Sequence, residues 1–365
     1  MVAHVVVIGA GVYGAAVAAS VTRRGARATV VDAGAPGGGT SGATFSWTNS
    51  CGKQPRSYHD LNVSGMEAHR RLAADVPHSD WYHETGNLEW AATDDEHEVL
   101  REKVAGVLDY GYEARWLGRA EVLDLEPDLD PAALPDDGIA YFPREGWVEP
   151  TRLIGHLLSR AGAEVVRGDA VTGLDVTGGE VRAVRLASGR RIGADAVVDC
   201  AGPHAGRIAE LAGLALPMRN TRGVLVYTSP VAVAAARVVH APHVHVRPDG
   251  GGRLLLHTPD VDGAVRDDGV DGSTVDEVVA AGRALYPGLR DATVESVRVG
   301  ERPVPDDGLP VLGRVAGLPN FHFAVSHSGA TLCLHAGDLV AAEALGEDQA
   351  DALGPYRFER FATVR

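Results

Sequence analysis

Residues 5–8 are four consecutive apolar side chains with no polar position among them. A run so uniformly apolar suits a parallel strand covered on both sheet faces. A glycine-studded turn follows, then small and apolar residues at helical spacing over 12–24, closed by Gly25. A second apolar run over 28–31 ends at Asp32. The pattern predicts strand, helix and strand, the two strands parallel. Further along, 146–176 predicts a helix and strands near 163–166 and 171–176. The stretch 179–202 predicts an antiparallel hairpin turning at Ser188 and Gly189, then a buried strand over 196–200. Near the end, 300–313 predicts a turn, and 320–345 a strand and a helix. The stretches 80–145 and 217–298 fit no βαβ pattern. They show short alternating strands, as at 86–91 and 224–228, and connecting helices such as 96–110.

One alternating stretch stands apart. In "HAPHVHVRPDGGGRLLLHTPD" (240–260), His243, His245 and Arg247 alternate with Val244 and Val246. Period-2 alternation puts the three polar groups on one sheet face. A turn at 248–252 sets His243 opposite His257, within a residue or two. A solvent-facing surface ordinarily uses Lys, Glu and Thr, so a histidine cluster predicts the lining of a cavity. Metal binding lacks a carboxylate or cysteine at the right spacing, and no metal is expected.

The first turn carries the chemistry. Gly9, Gly11 and Gly14 form G-x-G-x-x-G between a strand and a helix, with an acid closing the second strand. The first glycine permits the tight turn and the second lets a pyrophosphate approach the backbone. The third lets the helix pack closely on the strand. The helix N-terminus offers unpaired N–H groups to phosphate. An NAD dehydrogenase would continue directly with further βαβ units. Here "GAPGGGTSGATFSWTNSCGK" (34–53) intervenes, a Gly/Ser/Thr stretch unsuited to helix or sheet, with Phe45 and Trp47 arguing against disorder.

Composition narrows the partners. In 365 residues the net charge is −15, which disfavours nucleic acid and anionic membrane surfaces. No window reaches the ~18 unbroken apolar residues of a membrane span. The apolar start runs straight into Gly-x-Gly, so no signal peptide is expected. Cys51, Cys200 and Cys333 form an odd set without metal-type spacing, and a reduced, cytoplasmic setting is expected. Of 34 basic residues only Lys53 and Lys103 are lysines, leaving few amines for catalysis.

Five segments taken together resemble the D-amino acid oxidase superfamily of FAD enzymes. They are the G-x-G-x-x-G with its acid, "GGTSGA", "CAG" (200–202), "GERPVPDDGLPVLG" (300–313) and "HSG" (327–329). The resemblance covers nearly the whole chain. It implies an α/β fold: a Rossmann-type FAD-binding domain of 1–79, 146–216 and 299–365, and a smaller substrate domain on an antiparallel sheet, of 80–145 and 217–298. It places the ADP half of FAD on Gly9, Gly11, Val12, Tyr13, Gly14, Asp32 and Ala33. Thr40, Ser41, Ala43 and Thr44 would run beside the pyrophosphate and flavin, Val171 at the adenine edge, and Ala201 and Gly202 near the diphosphate. Ser328, Gly329, Ala330 and Thr331 would face the flavin's pyrimidine ring, where the positive end of a helix suits reduced flavin. Relatives often carry Gly-His-Ser-Gly-x-Gly there, and Ser326 and Thr331 replace its outer glycines.

The implied activity is oxidation of an amino acid or secondary amine by hydride transfer to the flavin, leaving an imine. Arg302 of G-x-R-P would grip the substrate carboxylate with its planar fork; a structural pairing with Glu301 or Asp306 is the alternative. His245, His257 or His327 would take the ammonium proton. A covalent flavin link is not expected, since Val299 stands where some relatives place a cysteine and no histidine lies between His4 and His59. In the second strand of the hairpin, Leu255 stands where sarcosine-type oxidases carry an oxygen-activating lysine. A flavin dehydrogenase of a 2-hydroxy acid and a non-catalytic FAD-binding subunit are the competing readings. The expected partner is a small amine or amino acid.

Overall fold

The computed structural model describes residues 2–266 and 269–361. The apolar run His4–Ile8 lies near the middle of a six-stranded sheet, flanked in parallel by Arg27–Asp32 and Ala196–Asp199. Glu164–Arg167 and Leu318–Val325 extend the parallel array on its two sides, and Val311–Val315 closes one edge antiparallel. Val5 and Val7 face the helices Val12–Arg23, Pro150–Ala161 and Gly329–Ala344. Val6 and Ile8 face a small antiparallel sheet of Val171–Thr177, Glu180–Leu186 and Arg191–Gly193. Cover on both faces is why the strand needs no polar position.

A second sheet has eight strands. In order they are Val294–Arg302, Thr221–Thr228, Leu254–His257, Val244–Pro248, Val238–Ala241, Asn87–Glu89, Ile139–Phe142 and Arg115–Leu117. All neighbours are antiparallel except Val238–Ala241 beside Asn87–Glu89. Strand Val294–Arg302 stays in this sheet to its last residue, past position 299. Helix Gly272–Leu285 covers one face, packing on Val224, Val246 and Leu256. The other face, with Leu225, Tyr227 and Leu255, packs on Ala43 and Phe45 of the glycine-rich loop. That loop contributes a short 3₁₀ turn, Thr40–Gly42, and two strand residues, Trp47–Thr48.

The alternation of the hairpin holds from residue 244 onward: Val244 and Val246 join the helix side and His245 the opposite side. His243 departs from it. It sits in the two-residue turn between Val238–Ala241 and Val244–Pro248, is exposed, and gives only its carbonyl, to Thr258 Oγ1. The register therefore pairs His245, not His243, with His257, and pairs His245 with His240 on its other side. Arg247 is buried in the same face but is spent on structure. Its guanidinium donates to the Phe45 carbonyl at 2.6 Å, pairs with Asp249 at 3.1 Å and lies 4.8 Å over the Trp147 ring.

Helix Arg56–Asp75 was not visible in the sequence pattern. Its buried side holds His59, Asn62, Gly65 and His69 among Tyr58, Leu61 and Met66, so the apolar stripe is broken. Those polar positions have specific uses. A Cβ on Gly65 would lie 2.4 Å from the Thr331 carbonyl oxygen, so the helix meets helix Gly329–Ala344 backbone to backbone. His69 Nε2–H donates to the Ala330 carbonyl at 2.8 Å.

His69 predicts an acid dependence of stability. Burial pushes its imidazole from 6.5 down to about 4. Between those values the unfolded chain takes up a proton that the folded chain refuses, so this contribution is complete above pH 6.5. It declines toward pH 4 at up to about 1.4 kcal/mol per pH unit. Denaturant midpoints at pH 7 and pH 5 should differ more for the parent than for His69→Gln, which keeps a donor for Ala330. Equal differences would refute the assignment.

Candidate active site

Two cavities meet below the eight-stranded sheet. The first, of about 820 Å³, runs along the C-terminal ends of the parallel strands and is walled largely by backbone: Gly9, Gly11–Tyr13, Gly37–Gly39, Ala201, Gly202 and Gly329. Gly9 has φ +103°, and a Cβ there would lie 2.4 Å from the Cys200 carbonyl oxygen. A Cβ on Gly14 would lie 1.8 Å from the Gly9 oxygen. Gly14 thus serves helix–strand packing and does not line the cavity. Gly39 and Gly202 have nothing within 4 Å of a Cβ position, so their backbones are open to a ligand. Ser41 Oγ accepts from Val12 N–H at 3.1 Å and ties the glycine-rich loop to the first helix. Asp32 also works locally, accepting from Ala10 N–H and Gly34 N–H, both at 2.7 Å. A carboxylate has about four lone-pair sites, so acceptor capacity remains for hydroxyls. Ala33, Thr40, Thr44 and Val171 complete the expected lining.

The second cavity, of about 780 Å³, lies between the loop 40–53 and the eight-stranded sheet. Arg302, His245, His257 and His327 all line it, with Ala43 and Ser328. Thr40, Thr44, Pro303, His327 and Ala330 border both cavities and mark where they join. Thr331 lines neither. It is buried, with its hydroxyl 3.4 Å from Asn49 N and 3.5 Å from the Trp47 carbonyl, where it supports the loop from below.

Arg302 is paired, though with neither acid expected from sequence. Its Nη1 donates to Asp262 at 2.7 Å and to the Arg222 carbonyl at 3.2 Å, and Nη2 lies 3.0 Å from His257 Nε2. These contacts leave Nε–H and one Nη2–H, the adjacent pair that can hold a carboxylate with two bonds. The guanidinium lies across Gly223, where a Cβ would sit 2.2 Å from Nη2. His257 Nε2 is also 3.2 Å from Asp262, while His257 Nδ1 is 3.4 Å from His245 Nδ1. Asp262, on the 3₁₀ segment Pro259–Ala264, therefore orients both Arg302 and His257.

Three of the histidines, His240, His245 and His327, are weaker bases than their type suggests. Burial, helped by the charge of His257, pushes His245 down to about 3. His327 opens into the cavity, and enclosure together with the charges of Lys53 and Arg302 pushes it down to about 4. His240, which the sequence reading omitted, lies against the Trp47 ring at 4.1 Å and is held well below 6.5 by burial. Phe45 lies about 6 Å from the rings of His240, His245 and His257. Lys53, Lys103 and Asp262 were likewise missed, and both lysines of the chain line this cavity. Leu255 is fully buried against Phe45 and Tyr227 and lines neither cavity.

A backbone-walled cavity at a parallel sheet's C-terminal edge, opening beneath an antiparallel roof, is the arrangement of a two-sheet flavoprotein oxidoreductase. Residues 4–343 match the DAO family of FAD-dependent oxidoreductases. The chain belongs to that family and is an FAD-dependent oxidoreductase. It is 26% identical to glycine oxidase of Geobacillus kaustophilus over 98% of this chain and 96% of that protein. The crystal structure of glycine oxidase from that organism superposes with a TM-score of 0.87 at 25% identity, covering 98% of each chain. Iminodiacetate oxidase from Chelativorans sp. BNC1 superposes with a TM-score of 0.83 at 25% identity, over 97% of this chain and 98% of that one. No helix among the described residues is long and apolar enough to cross a membrane.

Gly11 tests the first cavity. A Cβ there already comes within 3.1 Å of Ser41 Oγ, and a branched side chain would project into the cavity where the motif expects a pyrophosphate. Gly11→Val should fold yet purify without flavin, measured by absorbance near the flavin bands and by circular dichroism. Full flavin occupancy would make the motif purely structural.

Proposed function

We propose that this enzyme oxidises the C–N bond of an amino acid or secondary amine whose carboxylate is held by Arg302. The observation that carries the reading is the junction of the two cavities. A ligand lying along Gly9, Gly11–Tyr13, Ser41 and Ala201 would reach Thr44, His327 and Ala330, which also line the cavity of Arg302 and the histidines. The residues fit FAD: open glycine backbones for the diphosphate, Asp32 for ribose hydroxyls, and the first turn of helix Gly329–Ala344 for the ring system. When bound, the flavin supplies the hydride acceptor.

The remaining tasks fall to the chain. Ser328 and Gly329 begin a helix whose unpaired N–H groups favour negative charge developing beside them. Tyr58 OH and Ser328 Oγ are 2.7 Å apart, and Tyr13 OH and Ser326 Oγ 2.8 Å, so this turn is fixed from two sides. Arg302 sets the position of the carboxylate, and with it the carbon that bears the amine. Phe45, Trp47 and Trp90 narrow the water-accessible volume around it. Above about pH 5, His245 and His327 are neutral and add no charge to repel a substrate ammonium. His257, paired with Asp262, is the group in this cluster placed to receive the ammonium proton.

The flavin is held without a covalent bond. Acid or heat precipitation should release yellow FAD into the supernatant, and colour retained by the pellet would refute this.

Arg302 gives the decisive test. Removing one partner of a buried, hydrogen-bonded charge pair costs ~2–5 kcal/mol, or roughly two to three decades in kcat/KM. Arg302→Met should show that loss on an amino acid and keep its flavin, and Arg302→Lys should recover only part of it, because an ammonium cannot reproduce a two-bond grip. The matching amine without a carboxylate should be a poor substrate for the parent and lose little further in the variant. Equal losses on both compounds would make Arg302 a structural partner of Asp262 alone.

A further inference from the structure

The row of imidazoles in the roof gives the second cavity its length. In the sheet register Glu89, His240, His245 and His257 lie opposite one another on four adjacent strands, so their side chains share one face. All four line the cavity. At about 4.8 Å per strand the row measures ~14 Å from His257 to Glu89. Arg302 Nη2 lies 3.0 Å from His257 at one end, and Pro303, next in the chain, borders the cofactor cavity as well. One residue spans about 3.8 Å of extended chain. An amino acid held by Arg302 at this junction therefore leaves most of the row uncovered.

The far end is apolar, and its interior charges answer each other. Val99, Leu100 and Lys103 of helix Asp94–Asp109 line it, joined by Trp90, Ala91 and Pro242. Lys103 pairs with Glu89 at 2.5 Å. Burial holds the His240 and His245 rings neutral. Asp95 and Glu96 stand on the solvent-exposed rim, where Glu96 accepts from Ala92 N–H and Thr93 N–H. Val99 is 63% exposed, one of the most exposed large apolar side chains among the described residues. An apolar group on the ligand would remove it from water.

We propose that this far half is a subsite for a long, uncharged, apolar arm of the substrate, so that the enzyme acts on an amino acid or secondary amine bearing an extended alkyl group. This rests on the reading of Arg302 as the carboxylate anchor, which sets the reacting carbon at the junction and directs the arm along the row. Trp90, Val99 and Leu100 are the contacts that select its length.

The test uses oxidised holoenzyme and alkylthioacetates, which keep the carboxylate and carry no oxidisable amine: the methyl, butyl and octyl members. Flavin spectral titration should show affinity rising roughly two- to fourfold for each added methylene, as burial of a CH₂ group gives. Ala91→Trp, which fills the far end, and Val99→Glu, which charges its mouth, should each lower the octyl-to-methyl affinity ratio at least tenfold. Equal affinity across the parent series, the result for a far half that is only an entrance, overturns the proposal. A ratio unchanged in both variants with flavin bound overturns it too. Tighter binding of (8-aminooctylthio)acetate than of the octyl member would mean that the rim carboxylates select the arm, and would also overturn it. Arg302→Met is read on the methyl member. Weaker binding there with the rise per methylene kept supports the anchor, whereas unchanged affinity defeats the Arg302 reading and leaves the rise to decide the arm.

Discussion

The first turn of helix Gly329–Ala344 forms part of the wall of both cavities, and its position is set by what lies beneath it. Gly65 lets helix Arg56–Asp75 approach within backbone contact of Thr331. His69 takes the Ala330 carbonyl, and Tyr58 and Tyr13 hold Ser328 and Ser326 by their hydroxyls. On the other flank a Cβ on Gly337 would lie 3.1 Å from the Ala16 Cβ, so this helix also sits tightly on the first helix. A backbone dipole is useful to a cofactor only while its direction is fixed. Close glycine contacts fix it more firmly than long side chains would, because backbone atoms cannot change rotamer.

The roof depends on a different device. The loop 40–53 has little regular structure of its own, yet it carries Phe45, Trp47 and Lys53 to the cavity. Glu145 gathers this loop by accepting from two of its backbone N–H groups and the Trp47 indole. A buried acceptor of that kind replaces the hydrogen bonds that a strand or helix would have supplied. Arg247 acts in the same way from the sheet, bonding the Phe45 carbonyl. A Cβ on Gly300 would lie 1.9 Å from the Ala43 carbonyl oxygen, so the roof strand and the loop also meet without an intervening side chain.

Sequence order explains what could be read in advance. The opening unit is local: Val5–Ile8, the three glycines and Asp32 lie within one stretch, and their periodicities survive intact in the fold. Alternation likewise placed His245 and the valines correctly, because a strand's faces follow from its period alone. His243 escaped because a two-residue turn ends the alternation one residue earlier than the pattern suggests. Asp262 escaped for another reason. It meets Arg302 only through the eight-stranded sheet, which brings the segment after Leu254–His257 beside the end of Val294–Arg302. Helix Arg56–Asp75 was hidden by its own packing, since the polar groups that seat the first turn of helix Gly329–Ala344 interrupt its apolar stripe.

The chemistry of the cavity turns on how few charges it leaves free. Enclosure holds His245, His240 and His327 in their neutral forms, and Asp262 and Glu89 each answer one cation. Where a cavity excludes water, a carboxylate–guanidinium contact is worth more than at the surface, and an unanswered charge costs more. In the proposed reaction a zwitterionic amino acid would bring an ammonium that the neutral imidazoles do not repel, and that must lose its proton before hydride transfer. Shedding that proton toward His257 and Asp262, or entering already neutral at nitrogen, leaves the substrate a net anion. The same burial that keeps His240, His245 and His327 neutral leaves His257, beside Asp262, as the imidazole of the cluster that the proposed reaction would use to take up a proton.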